Sequence, residues 1–190
     1  MPPPPTPQSW TRQSITNPNI TYLLSTDRSL IDLSALSSAF ASDLVYWAKP
    51  LSPSQLKLCV DQSLCLGLYG TETLLHKDDG KTPQEMVGFA RLVTDYVTFG
   101  YLTDVYVLPE HQGQGLAKWM MKCLDEILRE WPDLRRCLLF TRDQGPARMY
   151  KETLKFRQIG GGGEEGKLIM MERGGPGTGW KLDGTKEGEE

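Results

Sequence analysis

The sequence has few of the residues that build disulfide frameworks and histidine metal sites. It contains four cysteines, with no Cys-x-x-Cys pair, and two histidines, His76 and His111. Cys123 and Cys137 stand in apolar patterns, which are typical of core thiols rather than of bridged cysteines. So small a histidine content argues against a histidine-rich metal site, and we expect no metal.

Long apolar runs and an excess of basic charge are also missing. No apolar run approaches the ~18 residues of a membrane span. The opening residues, MPPPPTPQSW, have neither the basic region nor the apolar region of a signal peptide. The formal net charge of -3 argues against a nucleic-acid partner, which needs a basic surface. We therefore expect a cytoplasmic protein with neither a nucleic acid nor a membrane as partner.

Composition marks two terminal tails around one domain. Residues 1–18 begin with a proline run, and residues 174–190 combine glycine, proline and charge without an apolar period. Such segments cannot bury enough apolar surface to order themselves, so both tails are predicted to be disordered. Residues 19–173 are long enough for a single domain with an ordinary core.

Between the tails, the apolar spacing alternates between strand and helix periods. Helices are predicted over 29–41, capped by Asp27 or Ser29, and over 53–63, 115–130 and 146–154. Strands are predicted over 21–27, 63–70, 84–95, 98–108 and 137–141, with a hairpin after residue 155. This order predicts a mixed sheet with helices on both faces, an α/β or α+β fold.

The stretch VLPEHQGQGLAKWMM, residues 107–121, joins a strand to the strongest helix through two glycines, Gly113 and Gly115. A nucleotide P-loop would need Gly-Lys-Ser/Thr here, and a Rossmann turn would need glycine where Lys118 stands. Glycines at a helix start nevertheless let backbone N–H groups approach an anion such as pyrophosphate. The alternative is that the glycines only permit a tight connection.

The same stretch is similar to the acetyl-CoA signature of the GNAT N-acetyltransferase superfamily, Q/R-x-x-G-x-G/A. Residues 112–117 match it, and Val107 and Pro109 match its usual V-x-P lead-in. The resemblance extends over about residues 20–172, in the same order of elements.

The resemblance implies a GNAT fold: a mixed, mostly antiparallel sheet of six to seven strands, flanked by about four helices and splayed between strands four and five. It also implies an acyltransferase with acetyl-CoA as co-substrate, with the pyrophosphate on the glycine turn and the pantetheine arm along the fourth strand. The residues expected to bind the co-substrate are Val105, Val107, Gln112, Gly113, Gln114, Gly115, Ala117 and Lys118.

For the proton chemistry, the resemblance implies Tyr150 as the acid that protonates the departing thiolate. Diamine acetyltransferases have a glutamate, the proposed base, where this sequence has Thr103. We therefore expect the amine to lose its proton through an ordered water held by Thr103 or Asp104. Each residue has a structural alternative: Tyr150 packing its ring, and Asp104 pairing with an arginine or a backbone N–H. The family spacing Y-x-x-x-G-F is altered here, so the helix after Tyr150 is expected to end differently.

Tyr46 and Trp47 stand in a linker that is unusually aromatic for a solvent loop. They are predicted to wall an amine pocket, or otherwise to anchor the loop to the core. The expected function is acetyl transfer to a primary amine of a small molecule. A protein lysine or N-terminal amine is the second possibility, and a non-catalytic acyl-CoA-binding module is the third. A homodimer is possible.

Overall fold

The computed structural model describes residues 6–72, 84–161 and 168–178. Their eight strands are β1 Ser9–Gln13, β2 Ile20–Ser25, β3 Ser63–Glu72, β4 Gln84–Thr94, β5 Phe99–Val107, β6 Arg136–Thr141, β7 Arg157–Gly161 and β8 Ile169–Gly174. The four α-helices are α1 Leu33–Phe40, α2 Pro53–Asp61, α3 Leu116–Arg129 and α4 Gln144–Leu154. No helix of this described part is long and apolar enough to span a membrane.

The strands form one mixed, mostly antiparallel sheet in the order β1-β2-β3-β4-β5-β6-β8-β7. β1–β2, β2–β3, β6–β8 and β8–β7 pair antiparallel, whereas β5 and β6 are parallel. The β5–β6 register runs from Phe99↔Arg136 to Leu102↔Leu139. The predicted GNAT fold is confirmed, with one strand more than the six to seven expected.

The predicted N-terminal tail is wrong for residues 9–13, which form β1. The prolines before this strand and its own polar residues give no apolar period that would indicate a strand. Pairing with the neighbouring strand, and not its own composition, stabilises it. β1 pairs with β2 over five positions, from Ser9↔Ser25 to Gln13↔Thr21. Of the predicted C-terminal tail, residues 179–190 lie outside the described part.

The first helix also begins later than predicted. Asp27 caps a 3₁₀ turn over Arg28–Leu30. Asp32 caps α1 itself, accepting hydrogen bonds from the backbone N–H groups of Ser34 and Ala35. Leu30 is 39% exposed and lies before the helix, whose apolar period begins at Leu33.

Contacts divide the chain into two compact units. The first comprises Met1–Arg91 and Asp104–Met120. Its core joins α1 and α2 to the inward faces of β3, β4 and β5 through Leu36, Phe40, Leu56, Val60, Cys65, Tyr69, Met86, Phe89 and Tyr106.

The second unit comprises Leu92–Thr103 and Met121–Glu190. Its interior holds a buried carboxylate, Asp125, which pairs with Arg173 and with Arg129. Glu172 is paired in the same way with Arg157, at 2.7 Å. Acidic side chains inside this unit are therefore matched by arginines, as buried charges require.

Candidate active site

The glycine turn follows β5 as predicted. A short 3₁₀ turn, Pro109–His111, leads into it, and α3 begins at Leu116. Gly113 and Gly115 both have positive φ, +77° and +69°, which L side chains rarely adopt. A Cβ added at Gly113 would meet no atom within 4 Å. The turn therefore has an open outer surface at the start of a long helix, which suits an anion.

The two glutamines of the turn act as its internal supports. Gln112 donates from Nε2 to the Val107 carbonyl, at 2.8 Å, and closes the turn against the end of β5. The Gln114 side chain is buried; it accepts from Ser14 Oγ at 2.6 Å and donates to the Tyr22 hydroxyl at 3.0 Å. Of the other residues predicted to bind a co-substrate here, Ala117 is half-buried and Lys118 is exposed.

Strand β1 supports the glycine turn through hydrogen bonds from one of its side chains. Arg12 donates to the carbonyls of Gln114, at 3.0 Å, and Gly115, at 3.3 Å, and its guanidinium lies 6.0 Å from the centre of the Trp119 ring. Sequence reasoning missed Arg12 because it assigned residues 1–18 to a tail. The arginine fixes the two carbonyls of the turn, and hence the orientation of their peptide planes.

A second support of the turn involves His111, which directly precedes Gln112. The Tyr22 hydroxyl lies 2.9 Å from His111 Nδ1, and the two rings meet edge to face. Tyr22 thus joins His111 to Gln114 in one polar chain that ends at Ser14. Buried polar networks of this kind rigidify a segment when each member has its partner.

Burial alternates along the middle part of strand β5. Leu102, Asp104 and Tyr106 are buried, whereas Thr103 and Val105 are half-buried. Val107, at the end of the strand, is also buried. Asp104 has φ +55°, so the extended backbone is interrupted two residues after the last β5–β6 pair.

The Asp104 carboxylate has the arginine partner that the sequence left open. Arg91 Nε donates to Asp104 Oδ2 at 2.6 Å, and Arg91 Nη1 donates to Ser63 Oγ at 3.4 Å. Asp104 is 6% exposed and the Arg91 side chain 19%, so the pair is largely removed from water. Burial of a carboxylate is costly unless such a partner compensates it.

Beside β5 the first unit has an open cavity of about 810 Å³. Its lining includes the buried residues Ala39, Met86, Tyr69 and Tyr106. Its charged lining residues are all acidic and all exposed: Asp32, Asp43 and Glu85. Sequence reasoning missed this group because its members are separated along the chain and carry no shared motif.

The structure places Tyr46 and Trp47 elsewhere. Their side chains are 56% and 46% exposed, meet edge to face with ring centres 5.1 Å apart, and are not among the residues lining this cavity. The neighbouring turn does contribute, because Asp43 and Leu44 line the cavity.

Tyr150 lies in the second unit, on α4. It is 8% exposed, and burial raises the pKa of its hydroxyl above the ordinary value. α4 ends at Lys155, whose φ of +58° is the left-handed conformation that glycine usually supplies at helix ends. The missing glycine of the family spacing is therefore replaced by a lysine in a strained conformation. Among the described residues, no group of three or more His, Cys, Asp or Glu side chains could hold a metal ion.

Comparison with known proteins gives one consistent family. The profile of the acetyltransferase (GNAT) family matches residues 41–156. A Gibberella zeae protein named as a putative acetyltransferase is 44% identical over 144 residues, which is 73% of this chain and 77% of that protein.

Solved structures of acetyltransferases are also similar to this chain. A putative GNAT acetyltransferase from Xanthomonas campestris pv. campestris is 36% identical, with a TM-score of 0.52, covering 68% of this chain and 82% of that one. Spermidine N-acetyltransferase from Vibrio cholerae, in complex with CoA and spermine, has a TM-score of 0.54 over 83% of this chain and 96% of that one. At 16% identity, the second likeness is one of fold alone.

The ion pair between Arg91 on β4 and Asp104 on β5 leads to a prediction about the stability of the protein. Arg91→Gln leaves the buried Asp104 carboxylate without its guanidinium, and we expect the free energy of unfolding to fall by roughly 2–4 kcal/mol. Urea unfolding of the variant and the wild type measures this change in the free energy of unfolding. Lys57→Gln, which breaks the exposed Lys57–Asp61 pair, is the control and is expected to cost no more than about 0.5 kcal/mol. Adding Asp104→Asn to Arg91→Gln should recover part of the loss; equal effects of Arg91→Gln and Lys57→Gln would contradict the argument.

Proposed function

The chain belongs to the GNAT acetyltransferase family and uses acetyl-CoA as co-substrate, and from this premise we propose that it acetylates the primary amine of a small molecule. The observation that carries the proposal is the cavity beside β5, because its charged lining residues are all acidic. Its volume of about 810 Å³ lies within the ~300–1,000 Å³ typical of small-molecule sites. A cleft lined by one sign of charge concentrates ligands of the opposite sign.

The glycine turn fits the pyrophosphate of acetyl-CoA. Both glycines have positive φ, and Gly113 has open space where a side chain would otherwise stand. Backbone N–H groups of Gly113, Gly115 and Ala117 are proposed as donors, with Lys118 nearby as a cation. Gln112 and Gln114 contribute by fixing the turn through their side chains. Acetyl-CoA supplies an acetyl group activated as a thioester.

Strand β5 is proposed to align the acetyl group. The β5–β6 register ends at Leu102↔Leu139, and β5 continues to Val107. Backbone groups of Val105 and Val107 are proposed to bind the pantetheine arm as an added strand would be bound. Tyr106 lies between them in sequence and lines the cavity, so the cavity adjoins this part of the strand.

The proton steps are assigned to three side chains. The attacking amine must be neutral, although alkylamines titrate near ~10.4. Thr103 or Asp104 is proposed to orient the water that takes the amine proton, and Arg91 holds the Asp104 carboxylate in place. On the family resemblance, Tyr150 is proposed to return a proton to the departing sulfur. Because burial raises the pKa of Tyr150, its hydroxyl remains protonated at neutral pH.

A screen of acceptors tests the proposed function. With acetyl-CoA saturating, we expect small primary amines to accelerate CoA release, detected with a thiol reagent, well above the rate without acceptor. Lysine-containing and free N-terminal peptides form the second arm, and a higher kcat/KM for peptides would replace the small-molecule proposal. Acetyl-CoA binding without amine-dependent CoA release would instead indicate a non-catalytic acyl-CoA-binding module.

Tyr150→Phe removes one hydroxyl and is expected to lower kcat by roughly 10²-fold while largely sparing the Kd for acetyl-CoA, because general acid catalysis commonly contributes this much. Tyr96→Phe, in the β4–β5 connection, is the matched control. If Tyr150→Phe turns over as fast as Tyr96→Phe, Tyr150 has no part in the proton transfer.

Arg12→Ala tests whether β1 supports the co-substrate turn. Loss of two hydrogen bonds to turn carbonyls should raise the KM for acetyl-CoA by about 10-fold, equivalent to ~1.4 kcal/mol, and more than it lowers kcat. Arg12→Lys should recover part of the effect. Lys122→Ala removes one positive charge from the exposed surface of α3 and serves as control. Equal KM values for Arg12→Ala and Lys122→Ala would exclude a positioning role.

A further inference from the structure

We propose that Tyr106 binds the reacting nitrogen, accepting one N–H of the neutral amine at its hydroxyl oxygen and thereby restricting acetylation to primary amines. The inference rests on the amine acetylation proposed above and specifies which acceptors that reaction takes. It assigns a role to a side chain of β5, whereas the proposed co-substrate contacts of this strand use only the backbone of Val105 and Val107.

Tyr106 adjoins both the proposed co-substrate strand and the cavity. It lies on β5 between Val105 and Val107, is 5% exposed, and lines the cavity. Its ring packs beside that of Phe89, with centroids 6.3 Å apart. A phenylalanine ring would fill the same place, so the packing does not account for the hydroxyl of Tyr106.

The Tyr106 hydroxyl is open to a ligand. Among the residues that the structure describes it has no hydrogen-bond partner. In the same described part, the buried side-chain atoms without a partner are the Tyr69 hydroxyl and Arg173 Nε. The Tyr106 hydroxyl is not one of these atoms, so it retains accessible surface. Because Tyr106 lines the cavity, a molecule in the cavity is the partner available to this hydroxyl.

Tyr69, the other tyrosine of this lining, shows the contrast. Its hydroxyl is enclosed and lies over Gly67, where an added Cβ would collide with it. A ligand in the cavity therefore cannot reach the Tyr69 hydroxyl without a rearrangement of β3. Of the two tyrosines that line the cavity, Tyr106 is the one whose hydroxyl can contact the acceptor.

The protonation state of Tyr106 suits a group that accepts an N–H. Burial, and then the nearby Asp104 carboxylate, raise the pKa of its hydroxyl above the ordinary value, so the hydroxyl is neutral at neutral pH. A neutral hydroxyl oxygen has two lone pairs that can accept hydrogen bonds. Accepting an N–H leaves the lone pair of the amine nitrogen free for attack, whereas donating a proton to that nitrogen would block it.

The specificity follows from the number of N–H bonds on the acceptor. As the nitrogen of a neutral primary amine bonds to the acetyl carbon and the C–S bond breaks, one of its two protons passes to the proposed water and the thiolate gains a proton. The other N–H stays in the product amide and remains bonded to Tyr106. A neutral secondary amine must lose its single N–H proton, so the Tyr106 hydroxyl would face an alkyl group. A site built to hydrogen-bond a substrate group discriminates against an analogue that lacks it.

Butylamine and N-methylbutylamine, which differ by one N-methyl group, test the inference with wild-type protein and acetyl-CoA. We expect kcat/KM for butylamine to exceed that for N-methylbutylamine at least about 10-fold. Tyr106→Phe should lower kcat/KM for butylamine about 10-fold, and that for N-methylbutylamine less than about twofold, because one hydrogen bond is lost only with butylamine. The KM for acetyl-CoA should not change. Tyr96→Phe, in the β4–β5 connection, is the control and should leave all these values unchanged.

The product amides provide a measurement that needs no turnover. N-butylacetamide retains the N–H that Tyr106 is proposed to accept, and N-butyl-N-methylacetamide lacks it. With the protein saturated with CoA, Tyr106→Phe should raise the Kd for N-butylacetamide several-fold and leave the Kd for N-butyl-N-methylacetamide unchanged. Isothermal titration calorimetry measures both values.

The contrary outcomes are distinct. An equal fall in kcat/KM for both amines in Tyr106→Phe would overturn the inference, because the hydroxyl would then act on the acetyl group that both reactions share. A rise for N-methylbutylamine without a fall for butylamine would also overturn it, because Tyr106 would then exclude secondary amines by size. No CoA release with any amine, although acetyl-CoA binds, would overturn the proposed function itself. The two amide affinities would still show whether Tyr106 accepts an N–H, and equal effects of Tyr106→Phe on both would exclude it.

Discussion

The buried ion pair between Arg91 and Asp104 is the constraint on which the candidate site depends. Asp104 interrupts β5 with a left-handed backbone, and its carboxylate is buried at that point. The 2.6 Å contact from Arg91 Nε offsets the loss of hydration. The proposed co-substrate contacts follow Asp104 along the chain: the backbone of Val105 and Val107 at the end of β5, and then the glycine turn.

The glycine turn illustrates a second constraint, since an open turn for an anion must be rigid although its two glycines have no side chains to hold it. Glycine is the most flexible residue, and a turn of glycines loses much entropy on ordering. The supports are side-chain contacts: Gln112 and Gln114 within the turn, Arg12 on β1, Ser14 directly after β1, and Tyr22 on β2. A strand at the edge of the sheet thereby contributes to the part of the protein proposed to bind the co-substrate.

The sequence by itself determined the features that are local. Apolar periods of 3.6 and 2 located all four helices and seven of the eight strands, and the Gln112–Ala117 motif located the turn and the family. Asp104 could be singled out because a carboxylate in an apolar strand needs a partner. Only the tertiary structure decided what depends on distant pairing: β1, which is ordered by β2; Arg91 as the partner of Asp104; Arg12 on the turn; and the three carboxylates, Asp32, Asp43 and Glu85, that line one cavity. Local patterns report how a segment folds, whereas charges gathered from separate segments leave no trace along the chain until the sheet brings them together.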